Sequence, residues 1–164
     1  MHAKTLVAAL ATLFGEVMEG PAAGGHMLNA GDTGMLGSLE KLSAAAASAR
    51  TATGSSIAAH VDHVRYGLSL LNRWAAGEDA FKDADWAASW NRTRVTDDEW
   101  TRLRADLRAE ASRWLEILRT PRDVEPLELN DMIASIAHAA YHLGAIRQIN
   151  ADVVGPAERP TPQR

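Results

Sequence analysis

Cysteine is absent from the 164-residue sequence, which excludes disulfides, thiolate nucleophiles and cysteine-based zinc sites. Long apolar runs are also absent, and no stretch approaches the ~18 residues that a membrane-spanning helix needs. Lys and Arg form no block, and the formal net charge of −4 gives no electrostatic basis for binding nucleic acid. We therefore expect a cytoplasmic protein without a nucleic-acid or membrane partner, because a chain without cysteine suits a reducing compartment.

The chain is otherwise of ordinary composition, with 46% hydrophobic and 23% charged residues. Its length predicts a single domain, which we assign to residues 1–154, followed by a flexible tail over 155–164. The apolar segment after Lys4 resembles the core of a signal peptide. Its apolar residues repeat at helical spacing, however, and this favours an amphipathic first helix over a cleaved leader.

Periodicity and capping residues predict four long helices and no strand. The helices span residues 3–19, 97–119 and 127–153, together with a segment that Ser55 or Ser56 caps and that ends at about Ala76. Thr96 gives the clearest start, since it is followed by three acidic residues that suit the first turn of a helix. The segments between them predict a glycine-rich loop at 20–34, a short helix at 35–42, low-complexity chain at 43–56 and a helical turn carrying Trp86 and Trp90. This pattern predicts an all-α four-helix bundle.

Two histidines lie four residues apart in the apolar last helix, in the segment "HAAYHLGAI". His138 and His142 are about 40° apart on the helix, and burying an imidazole without a partner costs roughly 1–3 kcal/mol. They therefore either chelate one metal ion together or form separate hydrogen bonds in the core, and the pair alone leaves both open. Arg147 lies on the opposite side of this helix, where we expect a surface group.

The second long helix offers a third ligand in the segment "SSIAAHVDHV". His60 and His63 are about 60° apart, and either could reach across a bundle to complete a three-histidine set. Asp62, between them, is expected to face solvent. Asp131 lies on the face of His138, either as a partner for groups around the site or as an acid suited to the first turn. Tyr66 either lines a pocket or packs in the core.

This order of elements, with "SIAAHVDHV" in the second long helix and "HAAYHLGAI" in the last, resembles the DinB/YfiT-like superfamily of four-helix bundles over roughly residues 3–153. In that family one histidine of the second helix and an H-x-x-x-H pair of the last helix bind a divalent metal. Carried over by motif, the resemblance implies His63, His138 and His142 as ligands. It places His60 one turn away, around the ligands or facing the substrate. The family often has Arg and Gln on either side of the glycine that corresponds to Gly144. This chain has Leu143 and Ala145 there, so the roles of those two side chains do not carry over.

Three neutral imidazoles leave at least one coordination position open, as in catalytic rather than structural sites. Such a site accepts Zn, Ni, Fe, Mn or Cu, and it lowers the pKa of a bound water or thiol. The resemblance implies a homodimer that acts on a small-molecule substrate, with S-transferase or isomerase chemistry on a low-molecular-weight thiol such as bacillithiol or mycothiol. The alternatives are a metal-dependent hydrolase and a non-catalytic metal-binding stress-response protein.

Overall fold

The computed structural model of the protein describes residues 3–22, 24–51 and 54–157. The α-helices are α1 (Ala3–Glu19), α2 (Gly34–Glu40), α3 (Ala44–Ser48), α4 (Ile57–Ala75), α5 (Asp97–Arg119) and α6 (Pro126–Ile149). Two short 3₁₀ helices cover Ala88–Trp90 and Ala151–Val153. The described residues contain no β-strand, so the predicted all-α class is confirmed.

Local capping explains where the long helices begin and end. The Ser56 hydroxyl accepts a bond from the Ala59 N–H at the start of α4, and Thr96 forms a reciprocal capping box with Glu99 at the start of α5. The predicted end of the last helix at Val153 is wrong. Asn150 leaves the helical conformation, and its side chain accepts the Asp152 N–H, which starts a separate 3₁₀ turn. The low-complexity segment also contains a helix that was not predicted, α3, capped by Ser43.

The four long helices enclose the core, since α1 and α4 each pack against both α5 and α6. Trp114 of α5 is fully buried in this core, and its indole N–H donates to the hydroxyl of Ser135 in α6 at 2.9 Å. Trp100 is 2% exposed, and its N–H donates to the Leu42 carbonyl. Because both indoles find partners, the core buries these large side chains without leaving a polar atom unpaired. The packing of α4 against α6 places the segments with the paired histidines side by side.

The far side of α6 is more covered than expected. Arg147, predicted at the surface, donates to the Asp32 carboxylate at 2.7 Å, with side chains only 15% and 3% exposed. The residues just after α6 also lie against this region, because the Asn29 amide donates to the Pro156 carbonyl. From residue 158 onward, the predicted tail lies outside the described residues. Within the described part of the chain, none of the helices has the length and apolar character to cross a membrane.

Candidate metal centre

Helices α4 and α6 bring four histidines to one place. His63, His138 and His142 each present one ring nitrogen, and these three nitrogens lie within 4.8 Å of one another. The Nε2 atoms of His138 and His142 are 3.0 Å apart. The ring centroid of His63 lies 5.0 Å from that of His138 and 5.1 Å from that of His142. The i,i+4 spacing on α6 produces the first contact, and the crossing of α4 supplies the third ring.

Ser89 holds the His63 ring and sets its protonation. His63 Nδ1 lies 2.7 Å from the Ser89 hydroxyl oxygen, and that hydroxyl donates its own hydrogen to the Trp86 carbonyl at 2.7 Å. Since Ser89 has one hydrogen and a carbonyl only accepts, the bond to His63 must be donated by Nδ1–H. The neutral ring then carries its lone pair on Nε2, which is the atom available to bind a metal.

His60 holds the His142 ring and sets its protonation. The Nδ1 atoms of His60 and His142 are 2.8 Å apart, and His60 Nε2 is 3.1 Å from the Ser55 hydroxyl. With His142 Nδ1–H donating to His60, and His60 Nε2–H donating to Ser55, both rings are neutral, and the unprotonated His142 Nε2 faces His138 Nε2 at 3.0 Å. His60 therefore lies beside the three-nitrogen set and orients one of its members.

Burial keeps these imidazoles neutral. His63 and His142 are 9% and 1% exposed. Burial, together with the nearby His138 and His60, lowers the pKa of His63 to about 4. Burial, together with the neighbouring histidines, lowers the pKa of His142 to about 3. Burial also lowers the pKa values of His60 and His138. At neutral pH the cluster is therefore uncharged and in the form that ligates metals.

Indole rings close one side of the cluster. Trp90 stacks on His63 with ring centroids 4.4 Å apart and planes at 25°, and it meets His60 edge-on at 5.1 Å. Trp86 lies 5.6 Å from His63. The predicted turn with these two tryptophans thus covers the histidines, and it also contributes Ser89.

Two side chains of α4 anchor that covering segment. Tyr66 accepts the Asp85 N–H at 2.9 Å and packs edge-on against Trp86, so it supports the wall from behind. Asp62 was expected to face solvent, but it is 6% exposed and pairs with Arg65 at 2.8 Å and Arg92 at 3.2 Å. The exposure prediction failed because the segment folds back over α4, and the helical pattern of α4 alone carries no sign of that. The role of Ser89 was missed for the same reason, whereas Ser55 was considered only for the start of α4 and not as a partner of His60.

A cavity of about 280 Å³ adjoins the cluster between α4, α6 and the covering segment. His138 lines it at one end, and Asp131 also lines it from α6. Gly67 of α4 leaves room between His138 and Trp86, because a Cβ atom at this position would lie 3.6 Å from both side chains. The cluster is therefore adjoined by a space for a small molecule at His138.

The donor set suits a divalent transition metal. Three neutral imidazoles converge, and among the described residues no carboxylate or further histidine joins the set. Imidazole suits Zn, Cu, Fe and Ni, whereas Mg and Ca prefer oxygen ligands. The rings are also held by Ser89 and His60 through their other nitrogens, as ligating histidines usually are.

Comparison of the chain with the models of known protein families, with curated proteins and with solved structures found no significant match. The function is therefore inferred from the geometry of the histidine cluster and its cavity.

Proposed function

We propose that this protein is a divalent-metal-dependent enzyme of the DinB/YfiT-like four-helix-bundle type, with His63, His138 and His142 as ligands. The observation that carries the proposal is the convergence of three neutral imidazoles beside a cavity lined by one of them, His138. A structural site would fill all its coordination positions with protein atoms, whereas this set leaves room for another ligand. A bound ion of this kind lowers the pKa of a coordinated thiol or water and polarises a carbonyl.

The residues of the chain supply orientation and exclusion of water. Ser89 and His60 fix the tautomers of His63 and His142 that leave the metal-facing nitrogens of these two rings unprotonated. Trp90 covers one face of the cluster by stacking on His63. The cavity lined by His138 offers a substrate a path to the cluster. A cavity of about 280 Å³ beside the cluster favours a binding site for a small organic molecule.

For the reaction, we propose transfer of a low-molecular-weight thiol. The thiol sulfur bonds to an electrophilic carbon, the leaving group departs with the bonding electron pair, and the thiol proton goes to solvent. The thiol must come from outside, because the chain has no cysteine. The family resemblance supports this reaction class. A metal-dependent hydrolase would use the same three ligands, and the stacked Trp90 suits a metal-binding protein without turnover.

The test combines metal analysis with two assays on the same preparations. We expect the purified protein to contain a transition metal and to consume thiols, offered with activated halides and epoxides, at a rate that a chelator or His142→Ala reduces to background. His26→Ala is the matched control, since it removes an exposed histidine far along the chain. Metal-dependent ester hydrolysis without thiol consumption would replace transfer by hydrolysis. Bound metal without either activity would leave only metal binding.

We also propose that the protein is a homodimer through α6. Ile133, Ala137, Tyr141 and Gly144 form an exposed stripe along this helix, with Ile133 49% and Tyr141 69% exposed. Burying such a stripe against its copy would remove apolar surface from water. Light scattering should give twice the 17.7 kDa chain mass for the wild type and for Val154→Glu, but a single chain for Ile133→Glu. A monomeric wild type would refute this proposal.

A further inference from the structure

Asp131 is the one charged side chain that lines the cavity among the described residues, and it has no partner there. The other polar groups of the lining are Ser135 and His138. The Ser135 hydroxyl is already used, because it donates to the Met132 carbonyl and accepts the Trp114 N–H. The Asp131 carboxylate has no hydrogen-bond or ion-pair partner among the described residues, and the charge that acts on it is that of Glu128, of the same sign. A half-buried carboxylate without a partner is available to a ligand.

The rest of the cavity is apolar and lacks positive charge. Its walls come from α4, α6 and the segment between α4 and α5, and they include Leu68, Leu71, Phe81 and Trp86. Phe81 and Trp86 are 38% and 41% exposed, so apolar rings stand where a ligand meets solvent. Neither Lys nor Arg contributes to the described lining. A carboxylate-bearing ligand would therefore meet Asp131 without a compensating cation.

The distance between the two ends of the cavity follows from the helix. Asp131 and His138 are seven residues apart on α6, which places them on nearly the same face and about 10 Å apart along its axis. A ligand that reaches both must therefore be elongated. With a cavity of about 280 Å³, it is also small.

We propose that this cavity binds small molecules with an apolar chain and a primary ammonium group, which pairs with the Asp131 carboxylate while the opposite end reaches His138. That the end of the ligand near His138 is the end that reacts rests on the proposed function. The ammonium end follows from Asp131 alone.

The electrostatics around Asp131 agree with a cationic ligand. Burial raises the pKa of this carboxyl, and the negative charge of Glu128 raises it further. Both effects disfavour an isolated charge at this place, and an ammonium group beside the carboxylate relieves both. The apolar walls would bury the ligand chain at the same time.

Calorimetric titration of the metal-loaded protein with heptylamine and with heptanol at neutral pH tests the inference. The two ligands have the same chain, so their difference reports the ammonium group. We expect heptylamine to bind about tenfold more tightly than heptanol, a ratio that one partly buried ion pair can supply. Asp131→Asn should remove this preference and leave heptanol binding unchanged, whereas Asp123→Asn, which neutralises an exposed acid, should retain it.

Two further readouts locate the site and separate the two proposals. Gly67→Leu should weaken both ligands, because a side chain there projects between His138 and Trp86. Equal binding of amine and alcohol, or an amine preference that survives Asp131→Asn, would overturn the inference. Metal content is measured in each preparation. A metal-free protein would contradict the proposed function, whereas a metal-loaded protein without amine preference would contradict only this inference.

Discussion

Replacing His63, His138 or His142 by alanine should reduce the bound metal from about one ion per chain to a small fraction. Each substitution leaves two imidazoles, and the i,i+4 pair or the cross-helix pair alone gives a much weaker site. The double variant His138→Ala/His142→Ala should retain little less metal than either single variant, because the ligands act as one unit. Elemental analysis after dialysis, in parallel with circular dichroism to confirm folding, measures the effect.

His60→Ala should behave differently from its neighbour on α4. His60 touches His142 Nδ1, so its loss frees the ring that it orients but removes no ligand nitrogen. Loss of such a supporting partner typically weakens metal affinity by about 10–100-fold. We therefore expect full occupancy at saturating metal and a raised dissociation constant. Glutamine at position 60 should restore part of the affinity, because its amide oxygen can accept the His142 N–H.

The contrast between the two histidines of α4 makes the result decisive. If His60→Ala empties the site while His63→Ala retains the metal, the ligand set is displaced by one turn of α4. If all single variants retain full metal, these histidines are ordinary core residues joined by hydrogen bonds. His26→Ala again serves as the control, since His26 is exposed and lies outside the cluster.

The helices were predictable because their signals are local. α1 and α5 span the predicted residues, and both starts of α4 and α5 depend on a serine or threonine whose hydroxyl caps the first turn. The histidines were predictable as candidates because their spacing places them on one face of a helix. The choice between His60 and His63 needed the family frame, since the helical angle alone allowed both.

The surroundings of the cluster were not predictable, because they depend on contacts between segments far apart in the chain. Ser89 is an ordinary loop serine in the sequence, and only the folding of its segment over α4 brings it to His63. Asp62 is buried by the same segment through Arg92. Arg147 is covered by Asp32, 115 residues earlier. Hydrophobic periodicity reports which side of a helix is apolar, and it does not report which loop will cover a polar side.

The metal-free protein should lose stability steeply as the pH falls below about 6.5, the pKa of an unperturbed imidazole. His63 and His142 have folded-state pKa values of about 4 and about 3. Between these values and 6.5 the unfolded chain binds more protons than the folded chain, so protonation favours unfolding. The stability that the neutral imidazoles of His63 and His142 contribute is fully present above pH 6.5. It decreases as the pH falls, and its loss is complete below about pH 3. With roughly 1.4 kcal/mol for each pKa unit, the loss is of the order of several kcal/mol.

Thermal melts of chelated wild type and His142→Ala across this pH range measure the effect. At neutral pH the variant should melt lower, because it leaves a cavity at a residue that is 1% exposed. The difference between the two melting temperatures should shrink on acidification, since the variant lacks the imidazole with the most depressed pKa. His26→Ala should follow the wild type throughout. A difference that stays constant with pH would show that His142 is not held neutral by its surroundings.

Metal should shift this acid transition in a predictable direction. Bound metal requires neutral imidazoles and binds only the folded cluster, so it raises the melting temperature by mass action. Protons compete poorly for His142 and His63, whose folded-state pKa values are about 3 and about 4, and burial lowers the pKa of His138 as well. The metal affinity should therefore stay nearly constant as the pH falls from 7 to about 5, whereas a site of unperturbed histidines would lose affinity from about 6.5 downward. The free-energy difference between metal-loaded and chelated protein should therefore also stay nearly constant over this pH range. An affinity that drops sharply at 6.5 would contradict the buried, neutral cluster.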